Sequence, residues 1–391
     1  MAETADMTKT AENAERRARI ALLLPRFGRY GGAEGFGYRL AAVLAENGYA
    51  VDFLCGRAEA APPPGVRIVA LGRPGPFKVV KALWFAFAAE RRRRAGSYDL
   101  SIGLGPSLRQ DVLRMGGGAL DAFWERSRLA WPKGPARSWK MLCRRLRPGN
   151  WAVRWIEAAQ YAPENTGLIV CNSHFVRDEL LRVRPEIDPA RIRIIYNRPD
   201  LSRFAPPTSE RRAELRRGLG LGGDDVLLAT AGTNFALKGV GTLLRALARL
   251  PENYRLRVAG GRGAGRWMDL ARSLGVAARV DFAGRVDDMP SFYAACDVFV
   301  LPTFYDACSN AVTEGLACGR KVISSATNGS AYFLPPERVL ADPADDAALA
   351  RLVRSAAAAP DPGPFAWPED LACGLEPYLE LVAELLEKKG K

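Results

Sequence analysis

RIALLLPRFGRYGGAEGFGYRLAAVLAENGYAVDFLCG (19–56) decides the fold. RIALLLP is a short aliphatic run with no helical period, which predicts a strand buried on both faces of a parallel sheet. A glycine-rich turn follows, then an amphipathic stretch closed by Gly48, then a second strand, YAVDFLCG (49–56). A β–turn–α–β opening of this kind predicts a doubly wound α/β sheet.

The alternation returns along the chain. Strands are expected at 98–105 and 167–173, and a second glycine turn, MGGGALD (115–121), is read as following the first of these. Residues 122–160 read as helical, aromatic and basic. RIRIIYNRPDLSRFAPP (191–207) runs from a strand into a Pro-rich connector, and a new βα series begins at DVLLATAG (225–232). Its further strands are YRLRVAGG (254–261), RVDFAGRV (279–286), CDVFVLPT (296–303) and RKVISSA (320–326). The Ala/Pro/Asp stretch at 341–364 reads as low complexity. The expected organisation is a disordered tail over 1–18, a first Rossmann-like domain over 19–198, a second over 199–370, and a closing helix over 371–391 packed back on the first domain. Two such domains enclose a cleft between the carboxyl ends of their sheets, where a ligand belongs.

Composition narrows the ligand. The 391 residues carry a formal net charge of +13, which favours an anionic partner: nucleic acid, an acidic membrane surface or a phosphorylated substrate. Seven dispersed cysteines without a CxxC or Cys/His cluster fit reduced thiols rather than zinc or a disulfide framework. The first 18 residues lack the apolar core of a signal peptide, and the most apolar window, VVKALWFAFAA (79–89), falls short of the ~20 residues that cross a bilayer. No GxGxxG or GxxxxGK[ST] fingerprint is present. GGRGAGR (260–266) fails at its last glycine, and in GTNFALKG (232–239) Lys238 precedes the glycine. A nicotinamide dehydrogenase and a P-loop NTPase are therefore poorly supported.

What remains is an ordered set. Gly31 and Gly32 follow the first strand, where backbone approaches a phosphate unobstructed. Lys238 lies in the loop after the first strand of the second domain. In YDACSNAVTEGLACG (305–319), two carboxylates, Asp306 and Glu314, stand eight positions apart across small residues. Ser309 or Asn310 is a plausible helix cap, which puts Asp306 in the loop before a helix and Glu314 on its second turn. The free amides of the helix start then point between them at an anion.

Taken together, GGAEGFGYRLAAVLAENGYAV, NSHFVRDEL (172–180), YNRPDLSRF (196–204), KGVGTLLRAL (238–247), the run from VDFAGRV to LACG and NGSAYFL (328–334) resemble glycosyltransferase family 4, which has the GT-B fold. The 305–319 strip looks most like bacterial lipopolysaccharide-core glucosyltransferases. The resemblance implies metal-independent transfer from a nucleotide sugar, UDP-glucose by subgroup, with retention of configuration. It implies that Asp306 contacts the donor sugar, Glu314 the ribose hydroxyls, the backbone near Val286 the base, and Lys238 with the amides of Ser309, Asn310 and Ala311 the diphosphate. Gly31 and Gly32 would approach the donor from the first domain. Neither metal nor cofactor is expected.

Three departures stand out. Asp306 occupies the place of a family glutamate, one methylene shorter. The family's histidine after the second glycine turn is absent; that region reads GGGALDAF, and Asp121 is the expected substitute. Thr233, Asn234 and Leu237 replace a family arginine. The chain's one histidine, His174, is expected at a helix start.

Positive charge concentrates in 78–94 and in 131–157, the latter with seven basic residues, one acid and four tryptophans. Arginine with tryptophan suits an anionic membrane interface, so the expected partners are a nucleotide sugar, an anionic lipid-linked or phosphorylated saccharide acceptor and the inner-leaflet surface. A cytoplasmic protein, peripheral on that membrane, is expected, with no nucleic acid bound. Two other readings stand beside it: a catalytically silent nucleotide-sugar binder, and a basic nucleic-acid-binding protein, which interleaved aromatics also suit.

Overall fold

A computed structural model describes residues 17–29, 31–261 and 263–390. The expected tail over 1–18 lies outside the described residues except for Arg17 and Ala18.

The first domain is built on seven parallel strands: β1 (Arg19–Leu23), β2 (Ala50–Cys55), β3 (Val66–Ala70), β4 (Leu100–Gly103), β5 (Gln110–Met115), β6 (Thr166–Cys171) and β7 (Ile192–Ile194). Their order is β3-β2-β1-β4-β5-β6-β7. Helix α1 (Gly32–Glu46) returns the chain from β1 to β2, burying Phe36, Leu40, Ala41 and Leu44 against the sheet. Gly37 lets it lie close, because a Cβ there would press on Phe53 and Leu104 at 3.1–3.3 Å. The remaining helices of this domain are α2 (Lys78–Ala95), α3 (Leu120–Ser127), α4 (Pro135–Leu146), α5 (Pro148–Tyr161) and α6 (His174–Val183).

The second domain repeats the plan with six parallel strands: β8 (Val226–Ala231), β9 (Tyr254–Ala259), β10 (Val280–Gly284), β11 (Val298–Leu301), β12 (Lys321–Ser325) and β13 (Val339–Leu340). The order is β10-β9-β8-β11-β12-β13. Around it lie α7 (Ser209–Gly218), α8 (Val240–Leu247), α9 (Gly265–Ser273), α10 (Met289–Ala295), α11 (Asn310–Ala317) and α12 (Asp346–Ala358). In both sheets the order reverses beside the first strand, between β1 and β4 and between β8 and β11, so each has a crevice at that point.

The chain crosses between domains twice, side by side. Tyr196 N–H donates to the Ala372 carbonyl (2.8 Å), and Gly374 N–H donates to the Tyr196 carbonyl (2.9 Å). After the second crossing, α13 (Glu376–Lys388) buries Tyr378, Leu381, Val382 and Leu386 in the first domain's core with Phe36, Leu40 and Ile102.

Two expectations are corrected. The second glycine turn follows β5, not the strand at 98–105. β5 was missed because its residues look wrong for a buried strand: Gln110 and Arg114 are both buried, each with polar partners. The stretch read as low complexity holds α12, capped by the Asp345 side chain on Ala348 N–H (2.8 Å), with Leu349, Ala350 and Val353 packed into the second core.

Candidate active site

The crevice of the second sheet is formed by the loops after β8 and β11. The first carries Lys238 and the second Asp306, and their side chains form an ion pair, both largely shielded from solvent. Backbone geometry enforces the approach. Gly239 begins α8 at φ +72°, where any Cβ would overlap the Pro302 carbonyl, so Lys238's loop sits directly on the loop after β11. Asp306 is pinned in turn: its N–H donates to the Thr327 carbonyl (3.0 Å), and its carbonyl accepts from Gly329 N–H (2.9 Å).

Ser309 precedes α11, but its side chain makes no cap hydrogen bond; instead the Asn328 side chain accepts from Ser309 N–H (3.2 Å). The first intrahelical bond of α11 runs from Thr313 to Ser309, which leaves the amides of Asn310, Ala311 and Val312 without an acceptor inside the helix. On the second turn, Glu314 accepts from the Tyr293 hydroxyl (2.8 Å). Burial pushes the Glu314 carboxyl up to about 7; the Tyr293 hydrogen bond and the positive charge of Arg203 and Arg39 pull the other way. A cation, an acid beside it, a row of free amides and a second acid thus line one strip. This arrangement suits a diphosphate flanked by hydroxyl-bearing groups.

The first domain clamps this strip. Tyr305 O–H donates to the Gly117 carbonyl (3.1 Å), Ser173 O–H to the Ala307 carbonyl (2.6 Å), and the Asn197 amide to Asn310 Oδ1 (2.9 Å). Asn197 Oδ1 accepts from Arg114 (2.8 Å), whose guanidinium also donates to the Tyr378 hydroxyl (3.1 Å) and stacks 3.6 Å from the Phe36 ring centroid. One chain of contacts therefore runs from α13 and α1 through β5 to the start of α11. Gly118, at φ +73°, completes the clamp, since a side chain there would collide with Tyr305.

The other predicted residues are distributed around this core. Gly31 stands at φ +105° ahead of α1 and Gly32 opens the helix, both at the crevice of the first sheet. Ala311 packs on the core beneath α11. The Val286 side chain turns to a separate groove with Arg211, Leu215 and Phe292. Asp121 opens α3 and is held by Arg184 (3.0 Å) and Arg154 (3.4 Å), which ties the carboxylate to its own domain. His174 does start α6, capped by Ser173; its Nδ1 bonds the Tyr196 hydroxyl (2.9 Å) and its ring stacks on Tyr332 (4.9 Å). Asp288 caps α10. Sequence reasoning missed Tyr293, Tyr305, Asn197 and Arg114. Only Arg114 carried a signal, an arginine at an inward position of a strand just before a glycine turn.

Among the described residues, no group of three or more His, Cys, Asp or Glu side chains is placed to hold a metal ion, and no helix is long and apolar enough to cross a membrane.

The family described as Glycosyl transferases group 1 matches residues 224–358, the segment that carries Lys238, Asp306 and Glu314. The chain is 33% identical over 170 residues to the lipopolysaccharide core biosynthesis glycosyltransferase LpsE of Rhizobium meliloti, covering 44% of this chain and 47% of that protein. It is 31% identical over 194 residues to the D-inositol 3-phosphate glycosyltransferase of Mycobacteroides abscessus, covering 48% and 43%. The chain thus spans just under half the length of these curated relatives. The structure superposes on WaaG, a glycosyltransferase involved in lipopolysaccharide biosynthesis, with TM-score 0.73 at 21% identity, over 87% of this chain and 90% of that one. It superposes on Anabaena HepE, solved with UDP and glucose, with TM-score 0.68 at 15% identity, over 95% and 100%. The fold is GT-B.

Proposed function

We propose that the protein is a retaining hexosyltransferase that moves a hexose, glucose by preference, from a UDP-sugar to a membrane-associated, anionic saccharide of the lipopolysaccharide-core type. The observation that carries this reading is the strip from Lys238 and Asp306 through the open amides of α11 to Glu314, inside the segment that the group 1 family matches. The diphosphate lies against Lys238 and the amides, the ribose hydroxyls against Glu314, and the sugar against Asp306. Departure of the nucleoside diphosphate develops negative charge, which Lys238 and the helix end stabilise without a metal. The neighbour solved with UDP-glucose adds support for this class of donor.

The acceptor belongs to the first domain. A cavity of about 700 Å³ between α3, α4 and α5 is lined by Trp124, Arg128, Arg144, Arg145 and Arg154, with Asp121 at its wall. On the outer surface Trp139, Trp151 and Trp155 are 68%, 63% and 51% exposed, and Phe87 lies tilted against Trp155 with ring centroids 6.0 Å apart, joining α2 to α5 as one face. Arginines flank these rings, and the combination fits an anionic lipid surface, on the cytoplasmic leaflet of the inner membrane.

Titration of the pure protein with a panel of nucleotide sugars, followed by release of nucleoside diphosphate with and without EDTA, tests the reading. Binding of a UDP-sugar with chelator-resistant turnover is expected; no response to any nucleotide sugar overturns it. One observation favours a second reading, a silent nucleotide-sugar binder: the carboxylate at the first-domain turn, Asp121, is locked by two arginines. Tight UDP-sugar binding without release or transfer, even with acceptor-rich membranes, would establish that reading.

A further inference from the structure

Away from the donor strip, positive side chains of both domains converge on one indole. Trp131, in the segment between α3 and α4, is half-buried. Lys140 Nζ of α4 lies 3.0 Å from its ring centroid, and the Arg266 guanidinium, from α9 of the second domain, lies 5.2 Å from the same centroid. Arg266 also stacks on its own neighbour, Trp267, at 4.2 Å. The charges that reach Lys140 are those of Arg144, Arg266 and Arg147, and all are positive. Arg144 donates to Ser127 Oγ (3.0 Å) and sits 5.9 Å from the Phe123 and Trp124 rings. Among the described residues, none of these four cations forms an ion pair with a carboxylate.

Such a cluster is costly as it stands. Elsewhere, Arg126 and Arg184 each pair with a carboxylate, and the donor-strip lysine does so too. Here Lys140 and Arg266 meet over Trp131 from the two domains, and Arg144 stands one turn further along α4, half-buried like Lys140. The indole face offsets part of the repulsion but carries no net charge. A bound dianion would remove the repulsion and bond to several donors at once.

The position is also telling. The loop ahead of α9 leaves β9 at the carboxyl end of the second sheet, and its Gly261 packs under Phe235, in the same loop as Lys238. On the opposite side, α3 starts at the turn whose Gly117 carbonyl accepts the Tyr305 hydroxyl. The cluster therefore sits on the rim of the cleft, beside the donor strip and next to the cavity between α3, α4 and α5.

We propose that Lys140, Arg144 and Arg266 form a phosphate site that spans the cleft, takes a phosphate carried by the acceptor and draws the two domains together around it. This rests on the reading that the first domain receives the acceptor. Because Arg266 comes from the donor domain, acceptor binding and cleft closure are one event in this arrangement.

The test titrates the full-length protein with inorganic phosphate by calorimetry, in wild type and in Lys140→Gln and Arg266→Gln, with UDP-glucose titrated in parallel. Phosphate binds the wild type, and each substitution weakens it roughly tenfold, as loss of one charge-assisted hydrogen bond does. Lys140→Arg restores the affinity, which separates charge from folding. UDP-glucose affinity stays unchanged in both Gln variants. If Arg266→Gln leaves phosphate affinity intact, or UDP alone displaces the phosphate, the cleft-spanning site is wrong. Phosphate binding without any nucleotide-sugar binding would sink the transferase reading and leave this site standing. Two further probes identify the source of the phosphate: a soluble hexose phosphate, and vesicles of phosphatidylglycerol in phosphatidylcholine. Sensitivity of the first to Arg266→Gln assigns a soluble phosphosaccharide, and sensitivity of the second a lipid headgroup. Insensitivity of both overturns the proposal.

Discussion

The two domains share a strand order and face one cleft, yet they equip it in opposite ways. At the crevice of the second sheet, charge is scarce and engaged: Lys238 with Asp306, Glu314 with Tyr293, and every loop pinned by backbone bonds. In the first domain, the helices that border the cleft carry abundant charge and aromatic surface, much of it exposed and, around Trp131, without an opposite partner. The difference follows from what each side is proposed to hold. A nucleotide sugar is small and largely engulfed, so its binding groups are few and preorganised. An acceptor at a membrane is large and approached from outside, so its binding face is broad and accessible.

The contrast breaks first at Lys238. Lys238→Ala removes the only cation of the donor loop that faces Asp306, and turnover should fall by roughly 100-fold or more, the loss seen when one preorganised charge stabiliser is deleted. A fall of less than threefold, in protein with an unaltered thermal transition, would mean that the first domain supplies the needed charge and that the division between the domains is false. Next comes Glu314. With its carboxyl near 7, wild-type affinity for a UDP-sugar should rise between pH 6 and pH 8 as the carboxylate forms to accept ribose hydroxyls, whereas Glu314→Gln should bind weakly and show a flat profile. Stability runs the other way. Folding raises this acid above its unfolded value of about 4.5, so its contribution is fully present below that pH and is lost as pH rises through about 7. The melting temperature of Glu314→Gln relative to wild type should therefore climb across that window and level off above it.

On the first domain the expected pattern inverts. Trp151→Ser with Trp155→Ser should cut binding to anionic vesicles by about tenfold and leave nucleotide-sugar affinity unchanged. Both rings are more than half exposed, and each makes one local contact, Trp151 with the Arg145 carbonyl and Trp155 with Phe87, so stability should move by about 1 kcal/mol per site. Unaltered vesicle binding would remove the membrane from the picture and leave the exposed rings without a partner.

The same contrast explains what was legible in the sequence. Strands β8 (VLLATA) and β11 (VFVL), which flank the second crevice, announce themselves as near-continuous apolar runs, because central parallel strands are buried on both faces. Lys238 and Asp306 stand out because their loops are short, and Glu314 because it follows on a helix of mostly small residues. The strands β3 and β5 did not stand out. Arg67 of β3 reaches over to Asp52, and Gln110 and Arg114 of β5 are polar residues satisfied only by distant partners: Thr166 for one, Asn197 and Tyr378 for the other. Hydrogen bonds that span tens to hundreds of residues leave no periodic trace. The ion pairs of Asp121 were hidden for a related reason. Its partners Arg154 and Arg184 lie on α5 and just beyond α6, and only the folded chain brings them together.

The smallest effect is also the sharpest test of the second domain's tightness. Tyr293 is fully buried and its hydroxyl has one polar partner, Glu314. Tyr293→Phe removes only that oxygen, so the core should stay packed and stability should change by about 1 kcal/mol. The consequence for Glu314 has a definite sign. The hydrogen bond from Tyr293 favours the ionised carboxyl, and without it burial acts unopposed on that side, so the carboxyl pKa should rise above about 7. The pH profile for UDP-sugar binding should then move to higher pH while its plateau stays within a few-fold of wild type. A profile that does not move would show that Tyr293 merely fills space and that Glu314 is set by Arg203 and Arg39 instead, in which case the first domain, through Arg39 on α1, tunes the donor site.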